Sequence, residues 1–405
     1  MTTGPMTTGP MTTGTDKPAS GTPWLERIRS LTSTLAAESA GINAGRELTA
    51  ATLEAMHRAQ LFRMTLPNDM SGGELPVPVL AQATELVASA DASAGWCLGQ
   101  GLGCAMSSAF LDTDAALEVF GPANAVLAWG AGVQGRATAT DGGYLVSGTW
   151  RFASGGKHAT YLGAHCKTFE ADGTQRVAAS GQGAVLTGLI PREQVTIHDD
   201  WHVMGLKGTR SEGYTAEGIF VPDRLTLDRE DPAQCRQGGT LYKFPTTAVY
   251  ASMFSGVALG IAGSMLADLI ALASGKTVRG GRTSMRESPV IHTRLAELTA
   301  DLESARAFQR QTITQVWDAV DAGQPLTLDQ RVRVRLATTY AITRATDVSE
   351  QVYRLAGSTA VFENEPFEQR FRDAHAVSQQ VQGRHTNFES VGRHLMGLDV
   401  ESTFL

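Results

Sequence analysis

Apolar residues in the first third of the chain recur at steps of three and four residues. This spacing places them on one face of an α-helix, which is the face that packs against a core. Asp91 precedes a further run of this kind, where a short acidic side chain can cap the next helix. We therefore predict an all-helical first domain over residues 21–124. The pattern is clearest at Leu25, Ile28, Leu31, Leu35, Leu53, Met56 and Leu61.

The pattern changes over residues 125–230 to short runs of β-branched and aromatic residues. Turn residues between short strands are typical of antiparallel sheets. We predict an antiparallel, barrel-like β domain in the middle of the chain. The separating turns are Asp141-Gly142-Gly143, Ala171-Asp172-Gly173 and Gly181-Gln182-Gly183.

Long amphipathic stretches return over residues 231–405 and predict a C-terminal four-helix bundle, so that the fold class is α+β. Their first member is apolar nearly all round, which indicates burial by several neighbours. Residues 1–20 repeat Met-Thr-Thr-Gly-Pro without an apolar run and predict a disordered tail. The four stretches are Val257–Ala273, Val290–Gly323, Leu328–Leu355 and His375–Leu398.

Composition narrows the kinds of ligand. The net charge of −7 is spread along 405 residues without a basic block, so we expect a small-molecule ligand and neither nucleic acid nor a membrane as a partner. Four cysteines without a Cys-x-x-Cys spacing, in a chain with no export signal, favour a cytoplasmic protein. We expect no metal site, because His158 and His165 lie seven residues apart in a predicted strand region and therefore point to opposite faces.

Three blocks contain the candidate chemistry: Gly142–Gly156, Asp200–Ser211 with its continuation to Pro222, and Arg372–Gln380. No Gly-x-Gly-x-x-Gly follows a predicted strand, so a nicotinamide-binding unit is not indicated. In their order and spacing the blocks resemble acyl-CoA dehydrogenases over most of the chain. The resemblance implies that family's order of helical domain, β domain and four-helix bundle.

One position separates two branches of that fold. In dehydrogenases of this kind a glutamate base often lies about nine residues beyond the arginine that corresponds to Arg372, and counting along places Val381 there. A valine cannot accept a proton. The pattern Arg372-Asp373-Ala374-His375 instead resembles the two-component flavin-dependent monooxygenases of the same fold. This resemblance implies reduced FMN or FAD supplied by a separate flavin reductase, O2, a C4a-hydroperoxide, and a small organic substrate, with aromatic compounds favoured.

His375 is the candidate catalytic acid or base, since a histidine can exchange a proton at physiological pH. Its alternative role is packing or capping at a helix end. We expect Arg372 and Asp373 to stabilise the bundle through ion pairs and helix ends.

The segment Trp150–Gly155 is the candidate flavin-binding strand. If it is a regular strand, alternation places Trp150, Phe152 and Ser154 on one face. Packing of a β core is the alternative explanation for the aromatic residues. The resemblance implies that this wall lies against the isoalloxazine ring and that Ser154 donates a hydrogen bond near the flavin N5, which makes Ser154 a second candidate catalytic residue, with Gly155 beside it.

Further cofactor contacts are implied by the resemblance alone. Arg279 and Arg282 flank a glycine pair in a loop that reaches the flavin phosphates in relatives, often across a subunit boundary, so a homotetramer is expected. Gly357 and Ser358 resemble a glycine turn near the cofactor. In the block Gly205–Ser211, Arg210 replaces a usual glycine, which implies either a different backbone conformation or a side chain that points outward.

Two other functions stay open at this point. One is an acyl-CoA dehydrogenase-like oxidoreductase with a different base, for which Glu363, Glu365 and Glu389 are the candidates. The other is an N-oxygenase acting on an amine or an amino sugar. A catalytically silent binding protein with this fold is a third, less favoured, interpretation.

Overall fold

The first part of the molecule consists of five α-helices. The structure is a computed structural model that describes residues 21–178, 181–229, 231–277 and 284–400. Asp91 caps α4 as predicted, because its Oδ1 accepts a hydrogen bond of 2.8 Å from the amide of Ala94. The helices are α1 (Thr22–Gly45), α2 (Ala50–Arg58), α3 (Val77–Ala90), α4 (Ala92–Ala105) and α5 (Thr113–Phe120).

Eight strands follow and form one sheet in the order β6-β7-β3-β2-β4-β5-β8, with β1 also paired to β4. Its inner side is filled by large side chains such as Trp150 and Tyr214, which are fully buried. The strands are β1 (Leu127–Trp129), β2 (Gly135–Thr140), β3 (Gly143–Trp150), β4 (Tyr161–Phe169), β5 (Val185–Pro191), β6 (Thr196–Ile197), β7 (Tyr214–Pro222) and β8 (Thr226–Leu227).

The prediction of a purely antiparallel sheet is wrong in two places, because β1 and β2 both pair with β4 in parallel. Leu127 of β1 lies opposite Tyr161, whereas Gly135 of β2 lies opposite Cys166 further along the same strand. The two strands therefore follow one another along β4, separated by the loop 130–134. Turn signals in a sequence show where strands end, and they do not show which strands pair.

Five further α-helices follow in the described part of the chain. The single helix expected over His375–Leu398 is interrupted after Ser378 and resumes at Thr386. The chain turns back closely here: a Cβ on Gly383 would lie 2.6 Å from the carbonyl oxygen of Ser378. The fourth helix of the bundle is thus divided in two. The helices are α6 (Thr246–Gly275), α7 (Pro289–Asp321), α8 (Leu328–Ala356), α9 (Pro366–Ser378) and α10 (Thr386–Leu395).

Helix α6 lies at the centre of the structure. It is long and apolar enough to cross a membrane, yet 61% of its most apolar window is buried inside the protein, as in the core helix of a soluble domain. It packs against α3, α4, α7, α8 and α9. Gly256 and Gly260 allow the closest approach, since a Cβ on either would lie 2.3 Å from a carbonyl oxygen of α3. The first helices and the bundle consequently share one hydrophobic core.

Candidate active site

A cleft of about 1050 Å³ opens where the first helices, the β domain and the C-terminal bundle meet. This volume matches the upper end of ordinary small-molecule sites. Helices α4 and α6 form one wall, the loops of the β domain form the second, and α9 with the turn after it forms the third. Representative lining residues of the three walls are Trp96 and Tyr250, Phe152 and Thr187, and His375 and Gln380.

The helical wall is a row of aromatic rings. Trp96 stacks on Phe254 with ring centroids 4.1 Å apart, and Phe254 stacks on Tyr250 at 5.4 Å. A glycine makes this possible, because a Cβ on Gly103 would lie 2.2 Å from the Tyr250 ring. Gln100 donates from Nε2 to the Tyr250 hydroxyl at 3.3 Å and fixes that end of the row. The row gives the cleft an aromatic, largely apolar wall, which suits an aromatic ligand.

A chain of hydrogen bonds ends at Ser154, at the Trp96 end of the row. Thr209 donates from its hydroxyl to the carbonyl oxygen of Leu206 at 2.8 Å. Its single proton is therefore used, so Ser211, 2.7 Å away, must donate to Thr209. Ser154 then donates to Ser211 over 2.6 Å, while Trp96 donates from Nε1 to the Ser154 Oγ at 2.9 Å.

These hydrogen bonds run in one direction, from Trp96 through the three hydroxyls to Leu206, and the sequence does not reveal this direction. In this arrangement the Ser154 proton is already engaged, and the oxygen retains a lone pair that can accept from a ligand. Ser154 can therefore donate to a ligand, as expected, only if the hydrogen bonds between the hydroxyls reverse their direction. An N–H group of a ligand can bind Ser154 without any such rearrangement.

The predicted common face of Trp150, Phe152 and Ser154 is wrong. Strand β3 ends at Trp150, whose indole is fully buried, stacks on Tyr214 and donates to the carbonyl oxygen of His165 at 3.0 Å. Phe152 has φ +67°, so alternation does not continue beyond the strand. Phe152 and Ser154 line the cleft and Trp150 does not. Gly155, with φ +79°, lies in the turn that follows.

Arg210 shows how a large residue replaces the usual glycine of its loop. The backbone keeps a left-handed conformation with φ +42°, and the side chain points away from the cleft to Glu212 at 2.9 Å and Glu47 at 3.5 Å. Of the two alternatives, the second is therefore correct: the backbone keeps a conformation typical of glycine, and ion pairs hold the guanidinium outside the cleft.

His375 lies in the last turn of α9 and lines the cleft. Its ring packs edge-on against Phe371 with centroids 4.4 Å apart. The Nε2 atom is buried, and within the described part of the chain it has no hydrogen-bond partner. Gln380 presents a second such atom, Nε2, to the same wall. Buried polar atoms are rarely left unpaired, so both are candidates for ligand contact.

Arg372 and Asp373 do not line the cleft, and they hold the loop that does. Arg372 forms a two-point ion pair with Glu368 at 2.7 and 2.9 Å and donates to the carbonyl oxygen of Met204. Asp373 accepts from the amide of Leu206 at 2.6 Å. The motif next to His375 thus fixes the position of the loop that contains Leu206, whose carbonyl oxygen accepts the hydrogen bond from Thr209.

Burial raises the pKa of Asp373 from its usual 3.8 to about 7, although the hydrogen bond from Leu206 opposes this shift. A raised carboxyl pKa means that protonation favours the folded state. This contribution to stability is complete below pH 3.8 and is lost as the pH rises to about 7.

Asp373→Asn should remove this pH dependence, because its amide stays neutral and can still accept from Leu206. We expect the free energy of unfolding of the unmodified protein, relative to Asp373→Asn, to fall by more than about 1 kcal/mol between pH 4 and pH 7. Urea unfolding of both proteins at a fixed concentration across this range measures the difference. Parallel curves would show that Asp373 is ionised throughout.

Four predicted cofactor residues remain, and two of them lie in the described part of the chain. Gly357, with φ +61°, begins a short turn after α8, and Ser358 beside it is exposed. Neither lines the cleft in this chain. Arg279 and Arg282 lie outside the described residues, so their predicted role stays a prediction.

Most cleft residues, including the whole aromatic row, were not predicted from the sequence, and three others that can carry a charge are Arg384, His165 and Arg229. Arg384 is exposed and lines the cleft just after His375, and the Arg–Asp–x–His pattern gives no signal for it. His165 and Arg229 line the β-domain wall. The expectation that His158 and His165 share a strand is wrong: His158 lies in the turn before β4. A histidine inside an alternating strand was the available signal for His165.

The three glutamates considered as alternative dehydrogenase bases lie away from the cleft. Glu363, Glu365 and Glu389 are not among the residues that line it, whereas Val381 is. In the described part of the lining the carboxylate is Asp228, at the β-domain end. The valine therefore occupies the place where a proton-abstracting glutamate was expected.

The cleft fits a flavin by three observations. Its volume and aromatic wall can hold a tricyclic ring together with a second small molecule. Ser154 offers an oriented acceptor, and the buried Nε2 atoms of His375 and Gln380 have no protein partner in the described residues. Phe152, whose side chain is 60% exposed, offers an uncovered ring at the mouth.

Comparison with known proteins defines the class first. The family model for the acyl-CoA dehydrogenase C-terminal domain matches residues 252–383. The solved structure of XiaF from Streptomyces, in complex with FADH2 and glycerol, superposes with a TM-score of 0.84 at 22% identity and covers 94% of this chain and 96% of that chain. The protein has the acyl-CoA dehydrogenase fold, as predicted.

Curated relatives then define the family. The chain is 30% identical over 364 residues to a pigment production hydroxylase of Rhodococcus erythropolis, covering 87% of this chain and 90% of the relative. It is 28% identical over 354 residues to an indole-3-acetate monooxygenase of Acinetobacter baumannii, covering 85% and 87%. The chain belongs to the oxygenase components of flavin-dependent monooxygenases with this fold. The dehydrogenase alternative is thereby set aside.

Proposed function

We propose that this flavin-dependent monooxygenase receives reduced FMN or FAD from a separate reductase and oxygenates an aromatic substrate with O2 in the cytoplasm. The observation that carries the proposal is the unpaired Nε2 of His375 in an aromatic cleft with a valine at position 381. Relatives named as oxygenase components or subunits support a separate reductase. Four free cysteines, three of them buried, are in keeping with a reducing compartment.

When bound, reduced flavin would supply the two electrons with which one atom of O2 could enter the substrate and the other leave as water. Phe152, Ser154 and the loop around Thr209 would hold its ring, and Arg384 at the mouth is placed to bind its anionic side chain. The row of Trp96, Phe254 and Tyr250 would hold the substrate ring and exclude water.

His375 would act on the substrate directly. Its Nε2 is positioned to accept the proton of an aromatic hydroxyl or ring N–H, which increases electron density at the ring carbon that is oxygenated. Aromatic stacking rather than a specific amine site dominates the cleft, so ring oxygenation is favoured over N-oxygenation of an amino sugar.

Oxygen consumption with chemically reduced FMN and FAD tests the proposal. Native protein with an aromatic substrate should give oxygenated product, and without a substrate the consumed O2 should appear as hydrogen peroxide. Reduction of protein-bound flavin by an acyl thioester under anaerobic conditions would indicate a dehydrogenase instead. Absence of product with a broad set of phenols and indoles would contradict the proposed reaction.

His375→Ala should fold normally and lose product formation by roughly 10²- to 10⁴-fold, because it removes the proton acceptor. Oxygen consumption should continue and end in hydrogen peroxide. The matched control is His394→Ala, which changes a histidine that binds Asp329 outside the cleft at 2.7 Å. Product yield and peroxide are measured per O2 consumed. Unchanged yield in His375→Ala would remove this residue from the mechanism.

Ser154→Ala should lower the fraction of consumed O2 that appears in product, because the oriented hydroxyl beside the reacting ring is lost. Binding of reduced flavin should change by less than about tenfold, since one neutral hydrogen bond contributes about 1 kcal/mol. Anaerobic titration and product analysis measure the two effects. Ser304→Ala, at an exposed position of α7, is the control. An unchanged product fraction would place Ser154 away from the reacting part of the flavin.

We also propose a homotetramer in which a neighbouring subunit contributes Arg279 or Arg282 to the flavin site. Exposed apolar side chains at the end of the bundle support assembly: Phe362 is 58% and Met396 80% exposed. Light scattering should give about four times the 43.0 kDa chain mass. Arg279→Ala with Arg282→Ala should weaken reduced-flavin binding at unchanged mass. A monomer with full flavin affinity would contradict both parts of this prediction.

A further inference from the structure

The β-domain end of the cleft contains an arginine that the proposed reaction does not use. Arg229 follows β8 and lines the cleft. Its Nη1 is buried, and within the described residues it has no hydrogen-bond partner. Its guanidinium lies over the ring of Trp129, with Cζ 4.3 Å from the centroid. This stacking supports the cation on one face and leaves Nη1 able to bind a ligand in the plane of the guanidinium.

The surroundings of Arg229 do not supply a second positive charge. His165 binds Thr187 through Nδ1 at 2.7 Å, and burial, with a smaller effect of the Arg229 charge, lowers its pKa to about 3. His165 is therefore neutral at physiological pH. Asp228 also lines the cleft and takes part in an interaction within the protein. At this end of the cleft the buried Nη1 of Arg229, which has no hydrogen-bond partner among the described residues, is the donor available to a ligand.

The positions of Arg229 and Ser154 define an axis along the aromatic wall. Ser154 binds Trp96, at one end of the row that continues through Phe254 to Tyr250. Arg229 lies toward the Tyr250 end, because it stacks on Trp129 of β1 and β1 packs against α4. A Cβ on Gly101, two residues before the glycine that faces Tyr250, would lie 3.8 Å from Val126 just before β1. The charge of Arg229 also opposes the burial-raised pKa values of Tyr250 and Cys104, in keeping with this position. Two ring stackings, of 4.1 and 5.4 Å between centroids, separate the two ends. An aromatic ring that contacts the row would thus lie between Arg229 and Ser154.

We propose that the substrate is an aromatic carboxylic acid whose carboxylate binds Arg229, while its ring lies on the aromatic row with the oxygenated carbon toward Ser154 and His375. The proposal rests on the proposed function and adds the substrate class. A half-buried guanidinium whose Nη1 has no hydrogen-bond partner among the described residues gains from a planar anion that accepts parallel N–H bonds. A neutral amide of the same shape cannot provide that negative charge.

Binding to matched pairs tests the proposal separately from turnover. The probes are indole-3-acetate against indole-3-acetamide, and 4-hydroxyphenylacetate against 4-hydroxyphenylacetamide, measured by calorimetry on the full chain. The native protein should bind at least one acid on the order of 10- to 100-fold more tightly than its amide, as expected for a charge-assisted hydrogen bond. Arg229→Gln should abolish this preference, and Arg229→Lys should restore part of it.

Arg224→Gln is the matched control, because Arg224 lies on the same segment but pairs with Glu118 at the surface; its acid preference should equal that of the native protein. In turnover, Arg229→Gln should raise KM for the acid with little change of kcat. Equal affinity of the native protein for acid and amide, or binding of neither, would overturn the proposal. Tight, Arg229-dependent binding of the acid without any oxygenated product would instead contradict the proposed function and leave the anion site in place.

Discussion

The close approach of α6 to α3 and α4 is the constraint on which the rest of the structure depends. Gly256 and Gly260 on α6 let α3 approach until backbone contacts backbone, and Gly103 on α4 makes room for the ring of Tyr250. A methyl group at these positions would meet atoms at 2.2 to 2.3 Å, so the helices would have to separate. The aromatic row of the cleft exists because the helix axes are held this near one another.

A second set of contacts, made of hydrogen bonds, connects the helices rigidly to the β domain. Trp96 belongs to the row and donates to Ser154, which in turn joins the hydroxyls of Ser211 and Thr209. The chain ends at the carbonyl of Leu206, whose amide is held by Asp373 of α9. Three parts of the molecule thereby determine the position of one serine oxygen. Such a network is rigid when every member is satisfied, and a change at either end is felt at Ser154.

The sequence predicted the helices and the cap at Asp91 well, because periodicity and capping are local properties. Trp150 was assigned to the wrong wall because alternation requires regular strand geometry, and Phe152 adopts a left-handed conformation just after β3 ends. The parallel pairing of β1 and β2 with β4 also could not be predicted, since it depends on contacts distant in sequence. Arg229 could not be identified from local sequence, because its candidate role depends on stacking with Trp129 and on a cleft, and both are formed only by the folded chain.

The third wall shows how one fold can support different chemistry. Val381 and His375 both line the cleft, but they lie on separate segments, since α9 ends at Ser378 and Val381 begins the short turn that follows. A carboxylate at position 381 would add a second negative charge to a lining whose described carboxylate is Asp228, whereas valine adds none. Among the described residues of this wall the side chains that can carry a charge are His375 and Arg384, and neither is a carboxylate of the kind that removes an acyl α-proton in dehydrogenases.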